Sequence, residues 1–574
     1  MAVKREVKTT CGIMLLVMMA LATWAQPSTP AATARPSFRI SGKVLNALSG
    51  QPLARAAVMI GPAQGTEPAQ GVEPSERVLS GDDGSFQFDG LAPGKYLLVG
   101  QARGFARQGL DEHEGYFTAV VVGPNLQSEG LVFRLRPDAS ISGTITDEQN
   151  EAVRGAQVML FHAQLENGQQ MTRMQAQALS NDLGRYRFGH LLPGKYFVAV
   201  ITHPWYAQGL QSTRRREGFS IPGQGPEPST DSAAEDAEHE PQKQPERIAS
   251  PLDVAYPVTF WVGTTDVSQA SPIILTAGDR TMADVVLTAV PALHLRIKGV
   301  NGDPAQGYSA NLVEHLFDGS TIQVTAESSR TGNEVEITGA PPGQVELNFE
   351  SFGKNPASWS ERIDLAKDTE ISAAGGFVAP QISGEVQVDG EAAPEGTSIA
   401  LLNRLSSVSV GARLGPKGEF QIEDSGVKPG TYTVLLNVPG AIMGEVSASG
   451  AKVVGQEVEI SGGGPVHLVV RASEKLGRVE GTAVRAGRPE GGAMVVLVPL
   501  DPVKDASLIR RDQSDSDGTF TLPSVLPGRY TVVAIANGWD LEWMSPAVLK
   551  PYLKDGETVN VTAGGKPKVQ VKVQ

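Results

Sequence analysis

The chain has 574 residues, a formal net charge of -14 at pH 7 and a single cysteine, Cys11. Residues 214–216 form its one run of three basic residues, so the charge balance argues against nucleic acid as a ligand. The 64 glycines and 39 prolines favour a protein of many turns over one of long helices.

The N-terminal segment has the pattern of a secretory signal peptide. Three basic residues precede an apolar run of about a dozen residues, and small residues follow at Ala22 and Ala25. We predict a signal peptide over residues 1–25, a linker over 26–36, and export to the periplasm or the exterior. Removal of Cys11 with the signal peptide would exclude disulfides and thiol chemistry, and no later apolar run is long enough to span a membrane.

A pair of turns recurs four times along the chain in the same order. An Asp-x-x-Gly type turn leads into an alternating strand, and a Pro-Gly-x-Tyr turn leads out of it. The turn glycines are Gly84, Gly184, Gly418 and Gly518, and the tyrosines are Tyr96, Tyr196, Tyr432 and Tyr530. Gly84 and Gly184 are 100 residues apart, as are Gly418 and Gly518. This period fits an independently cored domain and is too long for a solenoid repeat.

Each copy also begins with an alternating strand and contains a strongly apolar strand after the Pro-Gly turn. Short strands separated by Gly, Pro and Asp turns predict an all-β chain of antiparallel β-sandwiches. A degenerate copy opens at Leu293 and has Val345 where the others have tyrosine. The predicted sandwiches cover residues 37–138, 139–290, 291–379, 380–473 and 474–574.

The second sandwich contains a long polar insertion, from about residue 208 to 250. It is rich in Glu, Pro and Gln and nearly free of aliphatic residues, a composition that predicts disorder. It is either a tolerated surface insertion or a segment that binds a partner or is cut by proteases.

The opening Ile-Ser-Gly strand, the Asp-x-x-Gly-x-Phe-x-Phe strand and the Leu-x-Pro-Gly-x-Tyr turn resemble carboxypeptidase regulatory-like domains. That resemblance implies a transthyretin-like sandwich, grouped with the collagen-adhesin B-type and starch-binding-like folds. It also implies an accessory module, found beside zinc peptidase domains, in exported bacterial proteins and at the front of outer-membrane receptors. The turn motifs are specific for the fold and not for a function.

Sequence signatures of an enzyme are missing. None of the eight histidines begins a His-x-x-Glu or His-Glu-x-x-His motif, and there is no Gly-x-Ser-x-Gly elbow. His162 and Glu166 are four apart but flank a segment read as a polar, solvated loop. We therefore predict no catalytic residues, no metal and no cofactor.

Three local patterns imitate chemical sites. Residues 189–195 have the glycine spacing of a phosphate loop, but Tyr196 replaces the Ser or Thr that holds magnesium. Residues 515–518 resemble part of a calcium loop without its first and last acids. Lys43 stands where some adhesin domains form an isopeptide bond, but the assisting acid is absent, because Gln101 and other non-acids stand there. We predict that the first does not bind phosphate, since a strand follows it instead of a helix. We interpret the second as a hairpin turn and predict no isopeptide bond.

Aromatic residues just beyond the apolar strand are the candidate binding residues. Aromatic faces stack on sugar rings while neighbouring acids bind hydroxyls. The alternative is that each aromatic closes one end of its own sandwich. The candidates are Trp205, Tyr206, Trp539, Asp540, Glu542 and Trp543.

These features predict an exported, non-enzymatic, multidomain binding protein whose partner is a polysaccharide at the cell envelope. Two alternatives stay open: a structural or docking array that meets envelope proteins, and an accessory subunit of a separate peptidase. The sequence does not indicate an oligomeric state.

Overall fold

The computed structural model describes most of the chain. The described residues are 37–63, 76–207, 250–300, 307–351, 357–373, 380–403, 409–422, 427–461 and 464–574. The predicted signal peptide, the linker at 26–36 and all but the last residue of the predicted insertion lie outside these ranges. Within them, no helix is long and apolar enough to cross a lipid bilayer.

Short strands dominate the described residues, and we number them in chain order. The first group is β1 (Phe38–Asn46), β2 (Ala57–Pro62), β3 (Glu76–Leu79), β4 (Ser85–Leu91), β5 (Gly94–Gln101), β6 (Gln108–Gly109), β7 (Val120–Val122) and β8 (Leu131–Leu135). The second group is β9 (Ala139–Thr146), β10 (Gln157–Glu166), β11 (Gln169–Leu179), β12 (Arg185–Leu191), β13 (Gly194–Ile201), β14 (Val254–Ala255), β15 (Thr259–Phe260), β16 (Ile273–Leu275), β17 (Arg280–Met282), β18 (Val285–Val286) and β19 (Val290–Pro291).

Three further groups follow. The third is β20 (Leu293–Lys298), β21 (Tyr308–His315), β22 (Thr321–Gln323), β23 (Glu327–Thr331), β24 (Glu334–Ala340), β25 (Gly343–Ser351), β26 (Ala357–Leu365) and β27 (Thr369–Ser372). The fourth is β28 (Ile382–Val388), β29 (Glu391–Ala392), β30 (Ser398–Asn403), β31 (Ser409–Arg413), β32 (Glu419–Ile422), β33 (Gly430–Asn437), β34 (Ile442–Ser449), β35 (Lys452–Val454), β36 (Glu457–Ile460) and β37 (Val466–Ser473). The fifth is β38 (Gly477–Arg485), β39 (Arg488–Pro489), β40 (Met494–Pro499), β41 (Arg510–Gln513), β42 (Thr519–Val525), β43 (Gly528–Ile535), β44 (Glu557–Val561) and β45 (Lys568–Lys572).

Helical segments are short and lie mostly in the fifth group. Among the described residues they include the α-helix α1 (Pro546–Leu549) and 3-10 turns at Val267–Gln269, Ala506–Leu508, Gly538–Asp540 and Tyr552–Asp555. The all-β fold class predicted from the turn motifs is confirmed.

Each group forms two main sheets with a shared arrangement of central strands, and the second group adds a two-stranded sheet of β14 and β19. In the first sheet of the first group, β1 lies between β4, which runs antiparallel to it, and β8, which runs parallel. The same central position is taken by β9, β20, β28 and β38 in the other groups. In the second sheet, the strand after the Pro-Gly turn pairs antiparallel with an earlier strand of its group: β5 with β2, β13 with β10, β25 with β21, β33 with β30 and β43 with β40.

Beside its antiparallel pairs, each sandwich contains a strand that runs parallel to its first strand. A strand late in each sandwich follows a strand of the opposite sheet, enters beside the first strand from the same end and runs in the same direction. These late strands are β8, β17, β27, β37 and β45. Alternation of apolar residues reports which face a strand buries, but it does not report the direction of its neighbour.

Five clusters of buried apolar residues each lie between the two sheets of one sandwich. They draw on residues 40–135, 139–287, 295–365, 382–472 and 479–573. Two more clusters join neighbouring sandwiches. One packs Leu165 of the second sandwich against Trp543 of the fifth, and the other packs Phe317 of the third against Phe161 of the second.

The recurring turns have structural roles. Gly184 has a φ of +69°, and a Cβ there would lie 2.4 Å from the carbonyl oxygen of Ile145, so only glycine fits. After the Pro-Gly turn, the Tyr196 hydroxyl donates a hydrogen bond to the Leu192 carbonyl at 2.8 Å. Tyr96, Tyr432 and Tyr530 make the same bond to the residue four positions earlier. The tyrosine of the Pro-Gly-x-Tyr motif therefore closes the turn with a hydrogen bond from its side chain to the backbone.

Candidate functional site

The two tryptophans predicted as a glycan platform in the fifth sandwich lie against the first sandwich. Trp543 is 5 % exposed, and its indole nitrogen donates to Glu114 Oε2 at 3.1 Å. Trp539 stacks on His113, with ring centroids 4.2 Å apart and planes at 11°. We call this contact between the first and fifth sandwiches the end-domain junction. Its residues are Lys95, Asp111, His113, Glu114, Tyr116, Thr118, Ala119 and Val121, with Arg511, Asp512, Gln513, Asp515, Ser516, Trp539 and Trp543.

The two acidic residues of the predicted platform do not share the position of Trp543. Asp540 and Glu542 are exposed on the loop that carries the two tryptophans, whereas Trp543 is turned inward. A sugar ring could not stack on a side chain with so little free surface. The aromatic residue therefore packs between sandwiches, an arrangement that neither sequence interpretation anticipated.

Arg511 is the central charge of the junction. Its side chain has no exposed surface and pairs with Glu114 of the first sandwich. The guanidinium carbon lies 4.4 Å from the ring centroid of Tyr116 and 5.4 Å from that of Trp539, distances at which aromatic faces stabilise a cation. Burial lowers the pKa of Arg511 to about 10, so it stays charged at neutral pH. The pair and the rings together allow this charge to be buried.

Polar contacts extend the junction on both sides of Arg511. The Gln513 amide nitrogen donates to the Asp111 carbonyl at 2.6 Å and to Thr118 Oγ1 at 2.7 Å. Asp515 pairs with Lys95 and accepts a hydrogen bond from the backbone nitrogen of Ala119 at 3.2 Å. These bonds fix the register between the two sandwiches.

A hairpin of the second sandwich reaches the same place. The turn between β10 and β11 contains Gly168, whose carbonyl accepts a hydrogen bond from the backbone nitrogen of Met544 at 3.2 Å. A Cβ on Gly168 would lie 2.5 Å from Trp543 Cδ2, and its φ is +73°. Glycine at the hairpin tip therefore allows three sandwiches to meet at Trp543.

The aromatic residues predicted to bind a ligand in the second sandwich, Trp205 and Tyr206, lie at the surface. Trp205 is 74 % exposed, and the Tyr206 ring lies edge-on to it at 5.7 Å. The Tyr206 hydroxyl donates to Glu148 Oε1 at 2.6 Å, and the Tyr256 hydroxyl donates to Oε2 at 3.2 Å. We call Trp205, Tyr206, Glu148 and Tyr256 the Trp205 patch.

Hydrogen bonds favour the ionised form of the Glu148 carboxyl in the Trp205 patch. Burial would raise the pKa of Glu148, but the hydrogen bond from Tyr206, a backbone hydrogen bond and the hydrogen bond from Tyr256 together outweigh it, and the pKa is lowered. Burial and the neighbouring Glu148 raise the pKa of Tyr206 to about 12. The patch therefore presents an aromatic face beside a carboxylate fixed by two neutral hydroxyls. Sequence reasoning missed Glu148 and Tyr256, because folding alone brings these distant residues beside Tyr206.

The local patterns that imitate chemical sites are structural. Asp517 accepts hydrogen bonds from Thr519 in a hairpin turn, and Lys43 pairs with Asp83 at 3.2 Å. His162 lies on β10 and not in a loop, and its ring stacks on Tyr196 with centroids 4.4 Å apart. Among the described residues, no group of three or more His, Cys, Asp or Glu side chains could hold a metal ion.

Two β-sandwich families match parts of the chain. Residues 39–129 and 140–226 match the carboxypeptidase regulatory-like domain, which confirms the resemblance carried by the turn motifs. Residues 478–550 match the second beta sandwich domain of BOS complex subunit NOMO1-like proteins. Neither family description names a catalytic domain. The carboxypeptidase regulatory-like match is to two segments of the chain, those at residues 39–129 and 140–226.

No curated protein matches the chain. Among solved structures, it is similar to the Bacillus anthracis TIE protein, at 11 % identity over 94 % of this chain and 74 % of that one, with a TM-score of 0.16. It is also similar to GBS52, the minor pilin of Streptococcus agalactiae, at 11 % identity over 44 % and 96 %, with a TM-score of 0.21. BcpA, the major pilin subunit of Bacillus cereus, is 10 % identical over 76 % and 99 %, with a TM-score of 0.14. TM-scores this low carry no argument about function.

Proposed function

We propose that the chain is an exported, non-enzymatic binding protein that recognises a polysaccharide at the Trp205 patch. The observation that carries the proposal is the exposure of Trp205, 74 %, beside the fixed carboxylate of Glu148. An exposed aromatic face stacks on the apolar face of a sugar ring, and a carboxylate accepts hydrogen bonds from its hydroxyls. The signal-peptide pattern of residues 1–25 supports export to the envelope or beyond.

The proposal narrows the set of candidate residues. Trp205 and Tyr206 are kept, and Glu148 and Tyr256 join them. Trp539, Asp540, Glu542 and Trp543 are left out, because Trp543 contacts the first sandwich and is not free to bind a sugar.

The test is binding of the full chain to a panel of bacterial and plant polysaccharides by affinity electrophoresis. We expect Trp205→Ala to weaken binding at least tenfold and Glu148→Gln to weaken it less. Leu500→Ala is the matched control, because Leu500 is an apolar residue of the same 74 % exposure in the fifth sandwich. Failure of the unmodified chain to bind any polysaccharide, or equal binding by Trp205→Ala, would refute the proposal.

A second candidate function is a rigid scaffold that docks envelope proteins. It is favoured by the packing of Phe317 of the third sandwich among Phe161, Phe197 and Phe260 of the second, with ring centroids 4.6 to 5.8 Å apart. A scaffold function predicts that crosslinking in cells recovers protein neighbours even from the Trp205→Ala variant. If no protein neighbour is recovered, this candidate should be discarded.

A further inference from the structure

The Trp205 patch carries negative charge that no basic side chain of the described residues compensates. Glu148 is exposed and accepts hydrogen bonds from the hydroxyls of Tyr206 and Tyr256, but makes no ion pair within the described ranges. Its chain neighbour Asp147 is 4 % exposed and accepts two backbone hydrogen bonds from the turn that follows. Burial is the main cause that raises the pKa of Tyr206, and the charges of Glu148 and Asp147 add to it. Both carboxylates therefore act on the same surface.

The Glu148 carboxylate is held in place and still has acceptor positions for a ligand. An ionised carboxylate offers about four such positions. Oε1 accepts from Tyr206 at 2.6 Å, and Oε2 accepts from Tyr256 at 3.2 Å. Since the side chain is exposed, a donor from outside can reach the remaining positions.

Tyr206 connects this carboxylate to the exposed tryptophan. Its hydroxyl contacts Glu148, and its ring centroid lies 5.7 Å from that of Trp205 with the ring planes at 89°. A ligand that stacks on Trp205 and also contacts Glu148 has to extend past the Tyr206 ring. An oligosaccharide meets this requirement better than a single sugar, because its polar groups recur on successive rings.

We propose that the Trp205 patch binds a polysaccharide whose sugar rings carry free, protonated amino groups, with one ring stacked on Trp205 and an ammonium group donating to Glu148. This inference rests on the proposed function and names the class of polysaccharide. A hydrogen bond from an ammonium group to a carboxylate is charge-assisted, and is about twice as strong as one between neutral groups. The aromatic faces attract the same cation.

The charge of the patch also excludes a class of ligand. Uronate, sulfate and phosphate groups would be repelled by Glu148 and Asp147, and no basic side chain among the described residues pairs with Glu148 to offset this. The chain as a whole has a formal net charge of -14 at pH 7, which favours encounters with cationic ligands. Acidic polysaccharides should therefore not bind at this patch.

The experiment compares two tetrasaccharides that differ only at the amino groups, β-1,4-linked glucosamine and its fully N-acetylated form. Isothermal titration calorimetry measures their binding to the full chain at about pH 6, where amines are protonated and Glu148 is ionised. We expect the glucosamine tetrasaccharide to bind about five- to tenfold more tightly. Raising the salt concentration from about 0.05 M to about 0.5 M should reduce this preference, because salt screens exposed charges.

Three variants separate stacking from charge. Trp205→Ala should weaken binding of both tetrasaccharides at least tenfold. Glu148→Gln keeps an acceptor for Tyr206 and should lower the affinity for the glucosamine tetrasaccharide to that for the acetylated one. Glu129→Gln is the charge-matched control, because it replaces an exposed glutamate of the first sandwich and should retain the preference. Far-UV circular dichroism checks the fold of each variant, and the salt dependence of the unmodified chain tests the charge without a substitution.

The outcomes distinguish this inference from the proposed function. Equal, Trp205-dependent binding of the two tetrasaccharides, or binding of neutral polysaccharides alone, refutes the amine preference and leaves the proposed function standing. Absence of binding by both tetrasaccharides and by every polysaccharide of the panel refutes both. The amine preference is also refuted if Glu148→Gln retains it or if Glu129→Gln loses it to the same extent. Displacement of the glucosamine tetrasaccharide by an equal concentration of tetralysine would show recognition of a basic peptide and would overturn it as well.

Discussion

The guanidinium of Arg511 in the fifth sandwich pairs with the carboxylate of Glu114 in the first, and neither side chain is reached freely by water. Removing one partner of a buried ion pair leaves the other charge unpaired, which costs about 3–5 kcal/mol when burial persists. We expect Arg511→Met to destabilise the junction by about 3 kcal/mol, measured by urea unfolding with tryptophan fluorescence. Trp539 and Trp543 report directly on this contact.

The matched control for that prediction is Arg471→Met. Arg471 pairs with Glu445 at 2.9 Å, but both side chains are more than half exposed. An exposed pair contributes less than about 1 kcal/mol. Equal losses from Arg511→Met and Arg471→Met would contradict burial of Arg511 at a domain contact.

The tyrosine after the Pro-Gly turn should contribute more to stability in the fourth sandwich than in the first. The Tyr432 hydroxyl donates to the Lys428 carbonyl and accepts from the Lys428 backbone nitrogen, both at 2.9 Å. Tyr432→Phe leaves both groups without that partner, so we expect a loss of about 1–2 kcal/mol in chemical denaturation. Tyr96→Phe should cost less than about 1 kcal/mol, because its bond to the Ala92 carbonyl is exposed to water. The reverse order would contradict this role for the motif.

The repeated turns predicted the sandwiches because their requirements are local. A positive φ at Gly184 and a hydroxyl four residues after its acceptor depend on adjacent residues only, so the sequence displays them. Ser180 shows the limit of such reasoning. Its hydroxyl oxygen accepts from Ala156 and donates to the Val153 carbonyl, fixing a buried loop. Ser80 and Ser514 make the same pair of bonds, but an isolated serine carries no signal of this role.

The candidate sites were less predictable because they are made by contacts between distant segments. Trp543 was interpreted from its neighbours Asp540 and Glu542, whereas Glu114 and the hairpin at Gly168 determine its surroundings. Burial of an aromatic residue between two domains depends on how those domains dock, which the pattern within either domain does not report. Composition and motif therefore indicated the fold more securely than they indicated the binding surface.

Two glycines of the fourth sandwich separate the effect of φ from the effect of close packing. Gly418 has a φ of +73°, and a Cβ there would lie 2.4 Å from the Val386 carbonyl oxygen. Gly390 has a φ of +88°, with no atom within 4 Å of such a Cβ. We expect Gly390→Ala to cost about 1–2 kcal/mol, the penalty of the left-handed conformation alone. Gly418→Ala should cost about 3 kcal/mol or more, and equal losses in thermal unfolding would contradict the close approach.

Glu314 of the third sandwich predicts a pH-dependent stability. Burial raises the pKa of Glu314 to about 7, so the folded state holds a proton that the unfolded chain releases above its ordinary pKa. Its ionisation therefore destabilises the fold as pH rises, and the penalty is complete above about pH 7. Glu314→Gln should match the unmodified chain at about pH 4 and exceed its stability by about 1–2 kcal/mol at about pH 8. Urea unfolding at the two pH values measures this difference. Glu361→Gln, which replaces an exposed glutamate of the same sandwich, should show no such change. A gain from Glu314→Gln that is the same at both pH values would contradict a buried, protonated carboxyl.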